Sequence, residues 1–420
     1  MKKNYFMLAA TTMMFAACAQ TDVVNEIAVE ETPQAIGFET FANKATRNGE
    51  AVTPTATTAL ATHHDAYKVW AYKNTQNTTL VFNAEEVKAS DNSYSVTQYW
   101  DKAATNYYFY AAAPAPLATT TTGSGLVFQE TSTGTGESKV TTQESAYFTI
   151  TNLIMLGTNF SPKDQINALG SFIQREQVAT TEGGTTSSTP AQTTSEHDID
   201  YMIASTPVTK ETAGSFTNPV NFNFAHILSR LNITVKKAAS TPDITLTELS
   251  IKNLKIQSDF NSSETELASR WATVASGTVE AEYKNYDVTN YEITTNANYI
   301  LECLLIPQAA AYENVALDGT VTTVTPADTE GGTPTTTTSP ISSATAPYIH
   351  IQYKIDNETF DAYYNLAALF GADGTTGKTS ATFSEAYQNT LNITISPVGI
   401  EFSTSGCAWT SQTHIDVPTL

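Results

Sequence analysis

Short runs in which every second residue is apolar recur along this chain, and turn residues end each run after a few positions. That pattern constrains the fold most, because strand side chains alternate between faces while a helix needs a repeat near 3.6. Tyr67–Tyr72, Asn106–Ala111 (ending before Pro114), Tyr147–Met155, Val220–Phe224, Leu231–Lys236, Ile244–Ile256, Tyr299–Ile306, Tyr348–Ile355, Phe360–Leu366 and Leu391–Ser396 read as strands. Helical pattern is scarce: Asp164–Gln177 and Ala225–Arg230 are the short candidates. Strands this closely spaced, with Gly, Pro, Asn and Thr between them, predict an all-β chain of antiparallel sandwich type.

Composition supports this. Only 15% of the 420 residues are charged, while Tyr and Phe number 20 and 18, which suits sheets with hydroxyl-rich outer faces. Three Thr, Ser and Gly-rich stretches, Ala118–Ser145, Ala179–Glu196 and Asp318–Pro347, bury little apolar area and are expected to be exposed, mobile loops. Thr181-Glu182-Gly183-Gly184-Thr185 recurs as Thr329-Glu330-Gly331-Gly332-Thr333, either an echo between related domains or chance in Thr/Gly-rich sequence. Thr206–Pro219 lacks periodicity, so a boundary is drawn there, between an N-terminal domain at 48–210 and a C-terminal domain at 211–420.

The first residues form a second signal. Lys2 and Lys3 precede an apolar run from Tyr5 to Phe15, then Ala16, Ala17 and Cys18. The run is shorter than the roughly 20 residues of a membrane span and fits an export signal of lipoprotein type at 1–17, with Cys18 as the lipid-bearing residue. A polar tether follows, then the strand-like Gln34–Phe41 and the sequence Ala45-Thr46-Arg47. Membrane contact is therefore expected through the lipid alone. With 42 acidic against 21 basic residues the net charge is −21, which argues against nucleic acid as a partner.

Motifs for chemistry are sparse. The sequence has no GxSxG, P-loop, HExxH or CxxC pattern. His63-His64-Asp65 places neighbouring side chains on opposite faces, a poor chelate, and His197-Asp198-Ile199-Asp200 lacks the ligand density of a calcium loop. His226 lies among apolar residues and reads as a hydrogen-bonded structural histidine. Cys303 and Cys407 could pair in an oxidising compartment, but sequence does not show that their Cβ atoms meet, and two small buried hydrophobes are the favoured reading. No catalytic centre, cofactor or metal is expected.

Several blocks resemble a known family. Ala35-Ile36-Gly37-Phe38 followed by Ala45-Thr46-Arg47 resembles the opening of fimbrillin-family lipoproteins of Bacteroidales-type bacteria. Tyr107–Pro114 resembles that family's aromatic strand ending in proline, and Asp200–Ala204 its strand closing the N-terminal domain. Val220–Leu231 resembles the block opening its C-terminal domain, and Ile400-Glu401-Phe402 with Trp409 its C-terminal strands. The resemblance spans nearly the whole mature chain.

What it implies is a type V pilus subunit of two transthyretin-like β-sandwich domains, processed by an arginine-specific protease and polymerised by donor-strand exchange. Arg47 and Asn48 would flank the cut, and Ile36, Phe38 and Phe41 would be the apolar residues of the removable strand. Ile415, Val417 and Thr419 would belong to the donated strand, although Pro418 cannot donate to a ladder. Partners would be other pilus subunits, the protease, and host or bacterial surface ligands. The alternative is a non-polymerising, cell-surface glycan-binding lipoprotein; Trp70, Trp100, Trp271 and Trp409 all lie in or near strand-like sequence, which favours core roles over exposed sugar platforms.

Overall fold

The computed structural model describes residues 33–42, 60–62, 64–74, 79–115, 126–133, 140–155, 180–182, 185–187, 199–209, 216, 219–239, 242–273, 282–284, 290–316, 319–325, 335–356, 358–371, 373–374, 377–378 and 380–408. The chain is built of β-strands in several sheets, and its described helices are single turns.

Four sheets carry the structure. Strands β1 (Phe38–Ala42), β2 (Ala66–Asn74), β3 (Thr79–Lys88) and β4 (Asn106–Ala113) belong to the first. Strands β5 (Val127–Thr133) and β6 (Val140–Ile154) follow. Next come β7 (Met202–Thr209), β8 (Val220–His226), β9 (Ser229–Lys237) and β10 (Ile244–Lys252). After these lie β11 (Gln257–Asn261), β12 (Trp271–Ala272), β13 (Glu282–Lys284) and β14 (Asn298–Leu305). The later long strands are β15 (Thr320–Thr325), β16 (Thr335–Pro340), β17 (Tyr348–Ile355), β18 (Glu358–Asn365), β19 (Tyr387–Ser396) and β20 (Gly399–Ala408), and strands of two or three residues lie between the named ones.

The six-stranded sheet runs β1-β8-β7-β4-β2-β3. A four-stranded sheet runs β12-β11-β6-β5, another runs β14-β9-β19-β20, and a fourth contains β13-β10-β17-β18. Strand pairing crosses residue 210. β8 joins the first sheet beside β7, and β11 joins β6 from the N-terminal half.

Alternation explains the layering. In β2 and β4, Tyr67, Val69, Ala71, Tyr107, Phe109 and Ala111 enter one apolar core, while Trp70, Tyr72, Tyr110 and Ala112 enter another. The first sheet is therefore buried on both faces. Its second face meets β5 and β6, where Trp70 stacks on Phe128 at 4.9 Å and meets Phe148 edge-on at 5.7 Å. The same core runs on between the last two sheets, with Leu231, Ile233 and Val235 of β9 and Ile349 and Ile351 of β17. Trp70, Trp100 and Trp271 are all buried. Asp200 and His226 form a buried pair, Nδ1 to Oδ1 2.8 Å, so His226 is the bonded structural histidine its surroundings indicate.

Four expectations need correcting. The helix expected over Ala225–Arg230 is absent: β8 ends at His226 and β9 starts at Ser229. Ile227, Leu228, Ser229 and Arg230 are all buried, so the run lacks the polar stripe of a surface helix. Ile244–Ile256 is not one strand, because Asn253 turns left-handed at φ 63° after Lys252 and the chain changes sheet. The Thr-rich stretches are not open loops throughout. β15 and β16 pair Thr322 with Thr338 and Thr323 with Thr337, and β5 and the start of β6 lie inside Ala118–Ser145. Threonine is β-branched and favours strands, so such a run can pair without the apolar alternation that marks the other strands. Finally, the sheets are not purely antiparallel: β1 runs parallel to β8, and β9 parallel to β19. Strands distant in sequence are free of the hairpin connections that impose antiparallel order.

Cys303 and Cys407 lie on the two outer strands of the sheet β14-β9-β19-β20. Three strand spacings separate them by roughly 14 Å, about twice the Cα separation a disulfide tolerates.

Gly319 illustrates a backbone requirement. It has φ +78°, and a Cβ there would lie 3.0 Å from the Tyr363 ring. Retreat of Tyr363 would disturb its stack on His350, 4.5 Å between ring centroids. Gly319→Ala is expected to lower stability by about 1–3 kcal/mol, read as a fall in the urea midpoint at unchanged slope.

Candidate functional site: an edge strand and its groove

The segment Ala35–Ala42 is held from two sides. On one side β1 pairs parallel with β8 in the register Phe38↔Val220 to Ala42↔Phe224, and the Val220 N–H donates to the Gly37 carbonyl at 2.8 Å. On the other side lies the connection that follows β3. Ala35 forms an antiparallel bridge with Tyr99, the Ile36 N–H donates to the Gln98 carbonyl at 2.8 Å, and the Tyr94 hydroxyl donates to the Ile36 carbonyl at 2.6 Å. Burial pushes the Tyr94 pKa up, so this hydroxyl keeps its proton.

This connection is rooted on β3, at the opposite edge of the same sheet. Tyr94 bridges Val87, the Lys88 N–H donates to the Ser93 carbonyl, and the Ser95 N–H and hydroxyl both donate to Glu85. The six-stranded sheet thus closes on itself through Asp91–Tyr99, and Ala35–Ala42 is the closing stave. Behind it Trp100 stacks on Phe216 at 4.8 Å, which steadies the base of the connection.

Side chains fill the interior of this closed sheet. Ile36 is 1% exposed, Phe38 7% and Thr40 5%. The Phe38 ring lies 5.4 Å from Phe82, 5.4 Å from Tyr94, 5.6 Å from Phe222 and 6.2 Å from Phe109. Burying such a side chain contributes about 2–3 kcal/mol, and each well-placed ring contact adds about 0.5–1.5. The Thr40 hydroxyl reaches Asn92 Oδ1 at 3.5 Å, and the buried Tyr67 hydroxyl donates to the same oxygen at 3.0 Å.

Ile36 and Phe38 are therefore brought together in one apolar slot. Phe41 is out of phase with them: it is half-buried, and Thr40 takes the third inward position. Cys18, Arg47, Asn48, Ile415, Val417 and Thr419 lie outside the described residues, as do His63, His197, His414, Trp409 and Asp164–Gln177. Asn92, Tyr94 and Gln98 escaped sequence reasoning, because they sit in a turn-rich connection without periodicity. Among the described residues, no group of three or more His, Cys, Asp or Glu could hold a metal ion.

A protein-family model described as Fimbrillin-like matches residues 127–407, beginning after β4. No curated protein matches the chain. Among solved structures, a fimbrial protein from Bacteroides vulgatus is 13% identical, over 90% of this chain and 100% of that one, with a TM-score of 0.45. The tip fimbrial protein Mfa3 from Porphyromonas gingivalis, solved with a C-terminal truncation, is 9% identical over 89% of this chain and 100% of that one, with a TM-score of 0.33.

The phase of β1 separates two substitutions. Phe38→Ala is expected to cost about 3–5 kcal/mol, and Phe41→Ala about 1 kcal/mol or less. Urea unfolding of the two variants measures the difference, and equal losses would contradict the inward register.

Proposed function

Because the chain belongs to the fimbrillin-like family, we propose that it is a structural subunit of a surface fimbria that assembles by strand exchange. The family is structural and non-enzymatic, and fimbrial proteins are found at the cell surface. In this reading the precursor is exported, carries lipid on Cys18, and is cut after Arg47 by an arginine-specific protease. The mature chain comprises two transthyretin-like sandwiches at 48–210 and 211–420, with β8 crossing to complete the first.

One observation supports the reading: Ala35–Ala42 is a single edge strand held in a groove that its loss would open. Removal exposes the rings around Phe38 and leaves the backbone groups of β8 and Gln98 unpaired. Such an edge captures an extended strand, since the incoming backbone satisfies the ladder and its side chains refill the pockets. The donor is a strand from the C-terminal part of a neighbouring copy. The cut site lies only a few residues beyond β1, so cleavage severs this strand from the rest of the fold.

Limited digestion of unlipidated protein with an arginine-specific protease, read by intact mass and sizing, tests this. A single early cut after Arg47 followed by SDS-resistant oligomers is expected. A cut product that stays monomeric, or an Arg47 that resists cleavage in the folded chain, would overturn protease-gated assembly.

A further inference from the structure

Building on the strand-exchange reading, we infer that the strand refilling the groove is β20 of a second copy, with Ile400, Phe402 and Thr404 seated where Ile36, Phe38 and Thr40 now lie. The groove sets two kinds of demand. Gln98, Tyr94 and Val220 contact the Ile36 N–H, the Ile36 carbonyl and the Gly37 carbonyl, so they read backbone alone and fix register. Selectivity therefore falls on the inward side chains: an aliphatic residue, an aromatic two positions later, and a small hydroxyl two after that.

The pattern Ile-x-Phe-x-Thr occurs at 36–40 and at one other place in the sequence, Ile400-Glu401-Phe402-Ser403-Thr404. That second copy is already an extended strand. Among the described residues β20 is the outer strand of its sheet and pairs only with β19, so its departure breaks one ladder there. Its inward residues are less well housed than those of β1. Ile400 and Phe402 are half-buried, and the Phe402 ring meets Tyr364 at 4.1 Å where Phe38 is ringed by four aromatics. Moving to the groove of another copy buries these residues more fully. Glu401 and Ser403 are exposed in β20, as Glu39 is in β1.

The terminal segment Ile415-Asp416-Val417-Pro418-Thr419 fits less well. It places valine where the ring of Phe38 sits. It also places Pro418 at the position of Glu39. With the Val220 N–H on the Gly37 carbonyl and Phe38 opposite Val220, the parallel ladder next takes the N–H of residue 39, which proline lacks.

Cross-linking at a register pair decides between them. In the native pairing Phe41, half-buried, faces the exposed Asn223. The full chain is prepared with Cys18→Ser and Cys407→Ser, and with residues 47–53 replaced by a specific protease site, so that release of β1 does not depend on Arg47. Chains with Asn223→Cys are mixed after cutting with chains carrying Ser405→Cys or Leu420→Cys, Pro418 being kept, then oxidised and examined by non-reducing gel and mass spectrometry. The Ser405→Cys adduct is expected in roughly ten-fold excess, about what a buried aromatic in place of valine is worth. An excess of the Leu420→Cys adduct, or oligomers that trap neither pair, would overturn the assignment to β20. A cut chain that retains β1 and forms no oligomer would instead overturn strand exchange itself.

Discussion

The N-terminal half of this protein depends on one closure. A six-stranded sheet has two free edges, and each is a row of unpaired N–H and carbonyl groups. Here β3 and β1 occupy those edges, and the connection Asp91–Tyr99 reaches from one to the other. The stave Ala35–Ala42 completes the circuit, and Phe38 reaches from it into rings carried by β3, β4 and β8. Backbone pairing and apolar burial are thus satisfied by the same few residues. That concentration makes the strand necessary to the interior, although on each side it is held by a short set of contacts.

Much of the fold was legible from alternation. Tyr67–Tyr72, Asn106–Ala111 and Tyr348–Ile355 were marked by their period-2 pattern and turn residues, and each forms a strand. Where burial is continuous the periodic signal vanishes, which is why Ala225–Arg230 resembled a helix. The Thr-rich hairpin β15–β16 was hidden for the opposite reason: β-branched threonines favour strands without producing an apolar alternation.

The groove was half legible. Ile36 and Phe38 declared themselves as alternating apolar residues, and Phe41 misled because an aromatic at an odd spacing looks equivalent on hydrophobicity alone. What sequence could not supply was the opposite wall. Tyr94 and Gln98 act through a hydroxyl and a backbone carbonyl, and a backbone carbonyl leaves no residue-type signature. Likewise β8 reads as the opening of the second half, yet it pairs with β7 and β1, a matter of long-range pairing that no local pattern encodes.

The first sheet is buried on both faces, and this bears on what the proposed loss of a strand would leave behind. β2 and β4 act as a party wall. The rings of Tyr67 and Phe109 furnish one room, and those of Trp70 and Tyr110 furnish the other. Opening the first room wets its own lining, but the stack of Trp70 on Phe128 lies beyond the wall and stays dry. The wall strands are anchored from behind, so a room emptied of β1 would keep its shape.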